Sequence, residues 1–293
     1  MGYSAVTVLR IIGIARSTYY NKMNSEPVKR SYATVGRKAP GFSYKFDGSK
    51  VSDLYIQKCI IEIKSDKTDS PYGYKKVTAQ LRRNYSIRIN RKKVRRLMKN
   101  LNLLDPKRNK RRKKVSRVCE SRTVTKSNQL WQMDIKYAFI AGTKQTAYIT
   151  SIIDVFDREI VSCSIDLSAT GQVAKRVMLQ ALYNRGLNNN PNGLVLRTDN
   201  GSQFISGTFE EACITEKVTH ERIPVRSPNY NAYIESYHRY LQDECLTGNL
   251  YWNMNHICND VYDFVYRYNN RRIHSSIGYI PPHEYYIKNI HAA

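Results

Sequence analysis

The chain has 293 residues, 41% of them hydrophobic, and 48 Lys and Arg against 24 Asp and Glu, for a formal charge of +24. That length supports one large domain or two to three small ones, and no apolar run approaches the roughly 20 residues needed to cross a bilayer. The opening residues lack a signal-peptide cleavage pattern and the six Cys are scattered without a CxxC pair, which predicts a soluble cytoplasmic protein with reduced thiols.

The charge is unevenly placed. Residues 1–127 hold 33 Lys and Arg against 8 acids, a net of +25, while residues 128–293 hold 15 against 16, a net of −1. Between Lys75 and Lys114 there are 18 cations and a single acid, Asp105. Charge that served only solubility would be dispersed; a module that binds a polyanion concentrates it.

In chain order, residues 5–20 read as a short helix, a turn at Gly13 and a second helix beginning near Ser17, whose hydroxyl is placed to cap it. This is the outline of a helix-turn-helix segment over 1–23, and equally of a plain helical hairpin. Residues 24–50, with Ser, Gly, Pro and Lys and little periodicity, read as a linker. Helices are expected from Val51 to Ile63, over 71–84 and over 89–103, forming a basic helical DNA-binding domain at 51–105. In the last of these, Val94, Leu97, Met98 and Leu101 make an apolar stripe, and Asn90 is placed to cap the start.

The other faces of that helix carry Arg91, Lys92, Arg95, Arg96 and Lys99. With no acids for i,i+4 pairing, their mutual repulsion calls for an external anion. Together with Lys75 and Lys76 they are the predicted DNA contacts. The run at 107–114, which includes Arg111, Arg112, Lys113 and Lys114, reads as part of a basic arm (106–127) that holds phosphates without reading sequence.

From about Asn128 the pattern alternates. WQMDIKYAFI, QTAYITSIIDVF and REIVSCSIDLS read as three strands, with turns at Gly142 and Asp157-Arg158. A helix from Gly171 to Asn184 and a buried strand, GLVLRTD, follow, which predicts an α/β domain with a mixed sheet over 128–293.

Three acids are hard to assign to surface charge. Asp134 interrupts the first strand. Asp199 ends LVLRTD, at the carboxyl end of a strand, where α/β sheets place ligands, although it would also suit the turn before Asn200-Gly201. Glu235 lies in NAYIESYHRYLQDECL, a predicted helix burying Tyr233, Ile234 and Leu241 or their neighbours, with 35 residues between it and Asp199. Carboxylates brought together repel unless a cation intervenes, and hard oxygen donors suit Mg2+ or Mn2+. Asp154, Asp157 and Asp166 are competing ligands at this stage.

WQMDIKY, RTDNGSQF and NAYIESYHRYLQDE resemble the three catalytic blocks of DDE transposases and retroviral integrases. The tail YNNRRIHSSIGYIPPHEYY, with IGIARSTYY, YGYKKVTAQLRRN and INRKKVRRLMKNLNL upstream, is similar to the second-frame (OrfB-type) protein of the insertion-sequence-3 family.

The resemblance implies a ribonuclease-H-like catalytic domain, a mixed five-stranded sheet with flanking helices, preceded by basic all-α helix-turn-helix regions. It implies two Mg2+ (or Mn2+) ions held by Asp134, Asp199 and Glu235, with cleavage at transposon ends and transfer of a 3′-hydroxyl to a DNA phosphodiester. Asn231, Gly201 and Gln203 match positions near the active site, and Arg239 and Gln242 join the expected DNA contacts. The implied partners are double-stranded DNA (terminal inverted repeats and target), further copies of the chain on that DNA, and an upstream-frame protein, of which this chain would be the second-frame product.

Two positions depart from the family pattern. Gln242 stands where Lys or Arg is usual, with Arg239 one turn earlier as a substitute, and Arg197-Thr198 stands where His-Ser is common. A catalytically inactive DNA-binding regulator would share residues 1–127, but the intact acids argue against it. A tyrosine recombinase would need an HxxR-to-Tyr spacing that is absent.

Overall fold

The computed structural model describes residues 4–24, 40–104, 122–188, 190–191, 193–224 and 228–290, and its contacts divide it into two units, 1–41 and 42–293. In the first unit, helix α1 (Ala5–Ile11) is capped by Ser4, whose hydroxyl accepts from the Thr7 N–H. The chain turns at Gly13 with φ +69°, backbone that glycine adopts without steric cost. Helix α2 (Arg16–Asn24) begins before Ser17, and the Ala15 carbonyl already accepts from the Tyr19 N–H at 3.2 Å. Ser17 is therefore inside the first turn rather than its cap.

The second unit opens with a hairpin, β1 (Phe42–Lys45) and β2 (Lys50–Ser52), so the expected linker gives way to strands from Phe42 onward. The Asp47 carboxylate accepts from the Ser49 N–H at 2.8 Å and Gly48 has φ +87°, which closes the turn; strands this short leave no readable alternation. Helices α3 (Asp53–Ser65), α4 (Tyr74–Asn84) and α5 (Arg91–Asn100) follow, with β3 (Ile87–Arg88) between the last two. The three strands form an antiparallel sheet in the order β2-β1-β3, so this region is not all-α. Asn90 caps α5 as expected, accepting from the Lys92 N–H at 2.8 Å. Val94, Leu97 and Met98 are buried against Ile56, Ile60, Val77 and Leu81, while Leu101 is only half-buried.

The C-terminal half is built on β4 (Leu130–Ile140), β5 (Gln145–Asp154), β6 (Ile160–Asp166), β7 (Val195–Thr198) and β8 (Thr219–Arg222). Their order is β6-β5-β4-β7-β8, with β4, β5 and β6 antiparallel and β7 and β8 parallel to β4. This is the mixed five-stranded sheet of a ribonuclease-H-like core.

One face of the sheet packs Trp131, Met133, Ile135 and Leu196 against α6 (Gly171–Asn184) and α7 (Gly207–Thr215). The other packs Ile140, Ile149 and Ile153 against α8 (Ala232–Leu241) and α9 (Met254–Asn270). On α8, Ile234 and Leu241 are buried as expected, with Tyr237 in place of the 40%-exposed Tyr233. A π-helical turn, Gln242–Leu246, extends α8, and α10 (Pro282–Ile290) closes the described chain.

Between α9 and α10 the chain returns to the helical module. Ile273 is buried within that module's core, and its N–H donates to the Tyr72 hydroxyl at 3.0 Å. Arg271 pairs with Asp66 at 2.8 Å, and Arg83 of α4 pairs with Glu284 of α10.

Candidate active site and nucleic-acid interface

Side chains alternate along a strand, so Gln132 and Asp134 share the face of β4 opposite Met133 and Ile135, the face toward α8. Asp134 is thus a carboxylate on the sheet face that Ile140, Ile149 and Ile153 otherwise pack against α8 and α9. The parallel register pairs Leu130 with Val195 and Gln132 with Arg197; carried two residues further, it sets Asp134 beside Asp199, just past the end of β7. Burial, and with it the charge of Asp134, raise the Asp199 carboxyl above its ordinary value, opposed by the Gly201 N–H, which donates to Asp199 at 2.9 Å.

The third acid comes from α8. His238 Nδ1 lies 3.4 Å from Asp134 Oδ2, and Glu235 is three residues before His238, on the same side of the helix. Glu235 therefore lies on the helix face that meets Asp134, and is exposed. Sequence reasoning missed His238; its only signal was the i+3 offset from Glu235. Among the described residues no group of three or more His, Cys, Asp or Glu is gathered for a metal ion. The donor set nonetheless fits a hard divalent cation in type. The charge of Asp134 raises the Asp199 carboxyl, a third carboxylate sits on the facing helix, and a cation would relieve the repulsion.

The competing acids have other work. Asp154 accepts from the Asn128 N–H and the Trp131 indole at 2.7 and 3.0 Å. Asp157 pairs with buried Arg185 at 3.1 Å, and Asp166 with Arg176 at 2.6 Å. Each holds loops or helix ends and is satisfied without an ion.

The predicted DNA contacts divide. Lys75, Arg91, Lys92, Arg95 and Lys99 are exposed. Lys75 and Arg91, with Arg82, Arg83, Phe46 and Tyr279, line a groove of about 360 Å³. Lys76 is instead set over the Tyr72 ring at 4.6 Å, and burial, with Arg272 nearby, lowers its pKa to about 7. Arg96 is tied to Asp53 at 3.2 Å. Asn231 is 3% exposed, with no side-chain hydrogen bond found for its Oδ1. Lys76 and Asn231 are thus largely turned inward, whereas Arg96 stays partly exposed beside its acid partner. Arg239 is exposed and donates to Ser236 at 3.2 Å; Gln242 turns back to Thr247 at 3.1 Å. Arg111, Arg112, Lys113 and Lys114 lie outside the described residues.

Two family models described as Integrase core domain match residues 124–228 and 216–282, and one described as HTH-like domain matches residues 53–118. An uncharacterized 39.2 kDa protein of insertion element IS476 from Xanthomonas euvesicatoria is 30% identical over 75% of this chain, which spans 61% of that protein's length. An uncharacterized 31 kDa protein of IS600 from Shigella sonnei is 25% identical over 93% of this chain and 95% of its own. Transposase InsF for IS3A from Escherichia coli is 25% identical over 56% and 55%. Among solved structures, the HTLV-2 integrase catalytic core in complex with magnesium aligns at 21% identity and TM-score 0.41, over 55% of this chain and 97% of that one. No helix among the described residues is long and apolar enough to cross a membrane. With integrase-core matches running from 124 to 282 behind an HTH-like match, the chain carries an integrase core, and it is similar to proteins of insertion elements, among them a transposase of IS3A, in line with the resemblance to the insertion-sequence-3 family.

Proposed function

We propose that the chain cuts DNA at the ends of its element and joins a 3′-hydroxyl to another phosphodiester, with Asp134, Asp199 and Glu235 holding two Mg2+ or Mn2+ ions. The observation that carries this is the convergence of β4, β7 and α8, which brings Asp134 beside Asp199 and turns the helix face bearing Glu235 toward both. When bound, such a pair of cations supplies activation of the attacking oxygen and stabilisation of the leaving one. The protein's own part is to hold three carboxylates at fixed positions on two strands and a helix, and to deliver DNA to them. Exposed Lys92, Arg95 and Lys99 on α5, with Lys75 and Arg91 at the groove, hold phosphates of double-stranded terminal repeats.

Joining two ends to a target calls for more than one copy of the chain on the DNA, and an upstream-frame protein would add end recognition. The substrate places the work in the cytoplasm, at the nucleoid. The test is incubation of the purified chain with a labelled element end and Mn2+. Wild type is expected to nick and transfer, and Asp199→Asn to lose at least about a hundredfold in rate while still shifting DNA in a gel. Retained transfer by Asp199→Asn sinks the assignment; no nick by wild type points to a DNA-binding regulator.

A further inference from the structure

The start of α8, three residues before Glu235, is held by side chains from two strands. Gln132 of β4 is 1% exposed. Its Oε1 accepts from the N–H groups of Tyr233 and Ile234, both at 3.1 Å, and its Nε2 donates to the Tyr230 carbonyl at 2.6 Å. Amides in the first turn of a helix have no carbonyl partner within it. Asn231, at the cap position, makes no side-chain capping bond, so the cap comes from the sheet. Arg197, the register partner of Gln132 on β7, is 5% exposed. It donates from Nη1 to the same Tyr230 carbonyl at 3.2 Å, while its Nε and Nη2 hold Glu221 of β8 at 3.0 and 2.9 Å.

Apolar packing of Ile234, Tyr237 and Leu241 presses α8 onto the sheet, but such contact is non-directional and leaves the helix free to slide along its axis. Hydrogen bonds to the Tyr233 and Ile234 amides remove that freedom, at the residues adjoining Glu235. Metal ligands need placement within roughly 0.5 Å to act together, and a carboxylate on a helix inherits the helix's error. Arg197 also accounts for one departure from the family pattern. Its three-pointed guanidinium, where His is common, reaches β8 and the turn before α8 at once.

We propose that Gln132 and Arg197 are positioning residues that fix the start of α8 and thereby set Glu235 against Asp134 and Asp199; the inference rests on the metal-dependent reading above. The test compares the full chain with Q132M and R197M, which keep side-chain bulk without these hydrogen bonds, and with E235Q as the ligand control. Amide hydrogen exchange over residues 230–241 and Mn2+ affinity by electron paramagnetic resonance are measured together. In Q132M, exchange at the start of α8 is expected to quicken at least about tenfold and Mn2+ affinity to fall about 10- to 100-fold. Exchange in β4–β6 and the gel shift should hold, and R197M should move both readouts the same way.

Unchanged exchange and Mn2+ affinity in either folded variant overturn the proposal, and R197M decides it if Q132M does not fold. Equal Mn2+ affinity in wild type and E235Q sinks the triad reading itself. In that case the exchange data still report the anchoring of α8, but its catalytic purpose is overturned.

Discussion

Asp154 shows what a carboxylate does in this fold when it is not at the candidate site. It is fully buried and accepts four N–H groups, from Asn128, Trp131, Phe156 and Asp157. Asp154→Asn turns one acceptor into a donor facing two of those groups, and is expected to cost about 1–3 kcal/mol by urea denaturation. Burial, and then the charge of Asp157, push the Asp154 carboxyl up to about 6. An acid raised above its unfolded value of ~3.9 contributes stability that is full below about pH 4 and lost as pH rises through about 6. The stability difference between wild type and Asp154→Asn should therefore shrink from pH 4 to pH 7; a difference that grows would reverse the sign. At this scale Asp134, Asp199 and Glu235 stood out as candidates because of the apolar segments around them, and only the family resemblance joined them into one proposed site. Gln132 and His238 did not stand out, since the partners that define them lie about 100 residues away in the chain.

Helix α5 separates two kinds of cation that look identical in sequence. Lys92, Arg95 and Lys99 are exposed, while Arg96 is held by Asp53 of α3. Replacing Lys92, Arg95 and Lys99 with Ala should weaken DNA binding and lower the slope of log affinity against log salt by about 2–3, at ~0.9 per phosphate contact. Arg96→Ala should leave that slope unchanged and cost less than about 1 kcal/mol, because its pair is partly exposed to solvent. A gel-shift salt series on all variants checks both. Long elements with a clear apolar period, such as α5 and α6, were readable in advance. The β1-β2 hairpin and the π-helical turn after α8 were not: the first is too short for a period to emerge, and the second departs from the regular helix without a Gly or Pro to mark it.

Across the whole molecule, the helical module and the catalytic half share a seam made by the segment after α9. Ile273→Ala removes a side chain from the module's core and is expected to cost about 2–4 kcal/mol, splitting a single thermal transition into two. Lys76 sits at the same seam with its pKa lowered to about 7, by burial and by Arg272. A Lys depressed below its unfolded value of ~10.4 contributes stability that is full only above about pH 10 and is lost as pH falls through about 7. Lys76→Met should therefore raise stability by at least about 1 kcal/mol more at pH 6 than at pH 9, by urea midpoint. Nothing in the sequence announced this seam, because its contacts join residues some 200 apart, such as Tyr72 with Ile273 and Asp66 with Arg271.

The same seam fixes an order of events during synthesis. The module that grips DNA leaves the ribosome first, yet its core stays open until residue 273 arrives to fill it. Contacts so distant in sequence form late, so the DNA-holding half matures only when the cutting half is essentially complete. A released chain ending before residue 273 should be protease-sensitive in residues 53–104, and one extended past residue 280 protected there, so that DNA is not gripped by a chain that has yet to acquire its catalytic core.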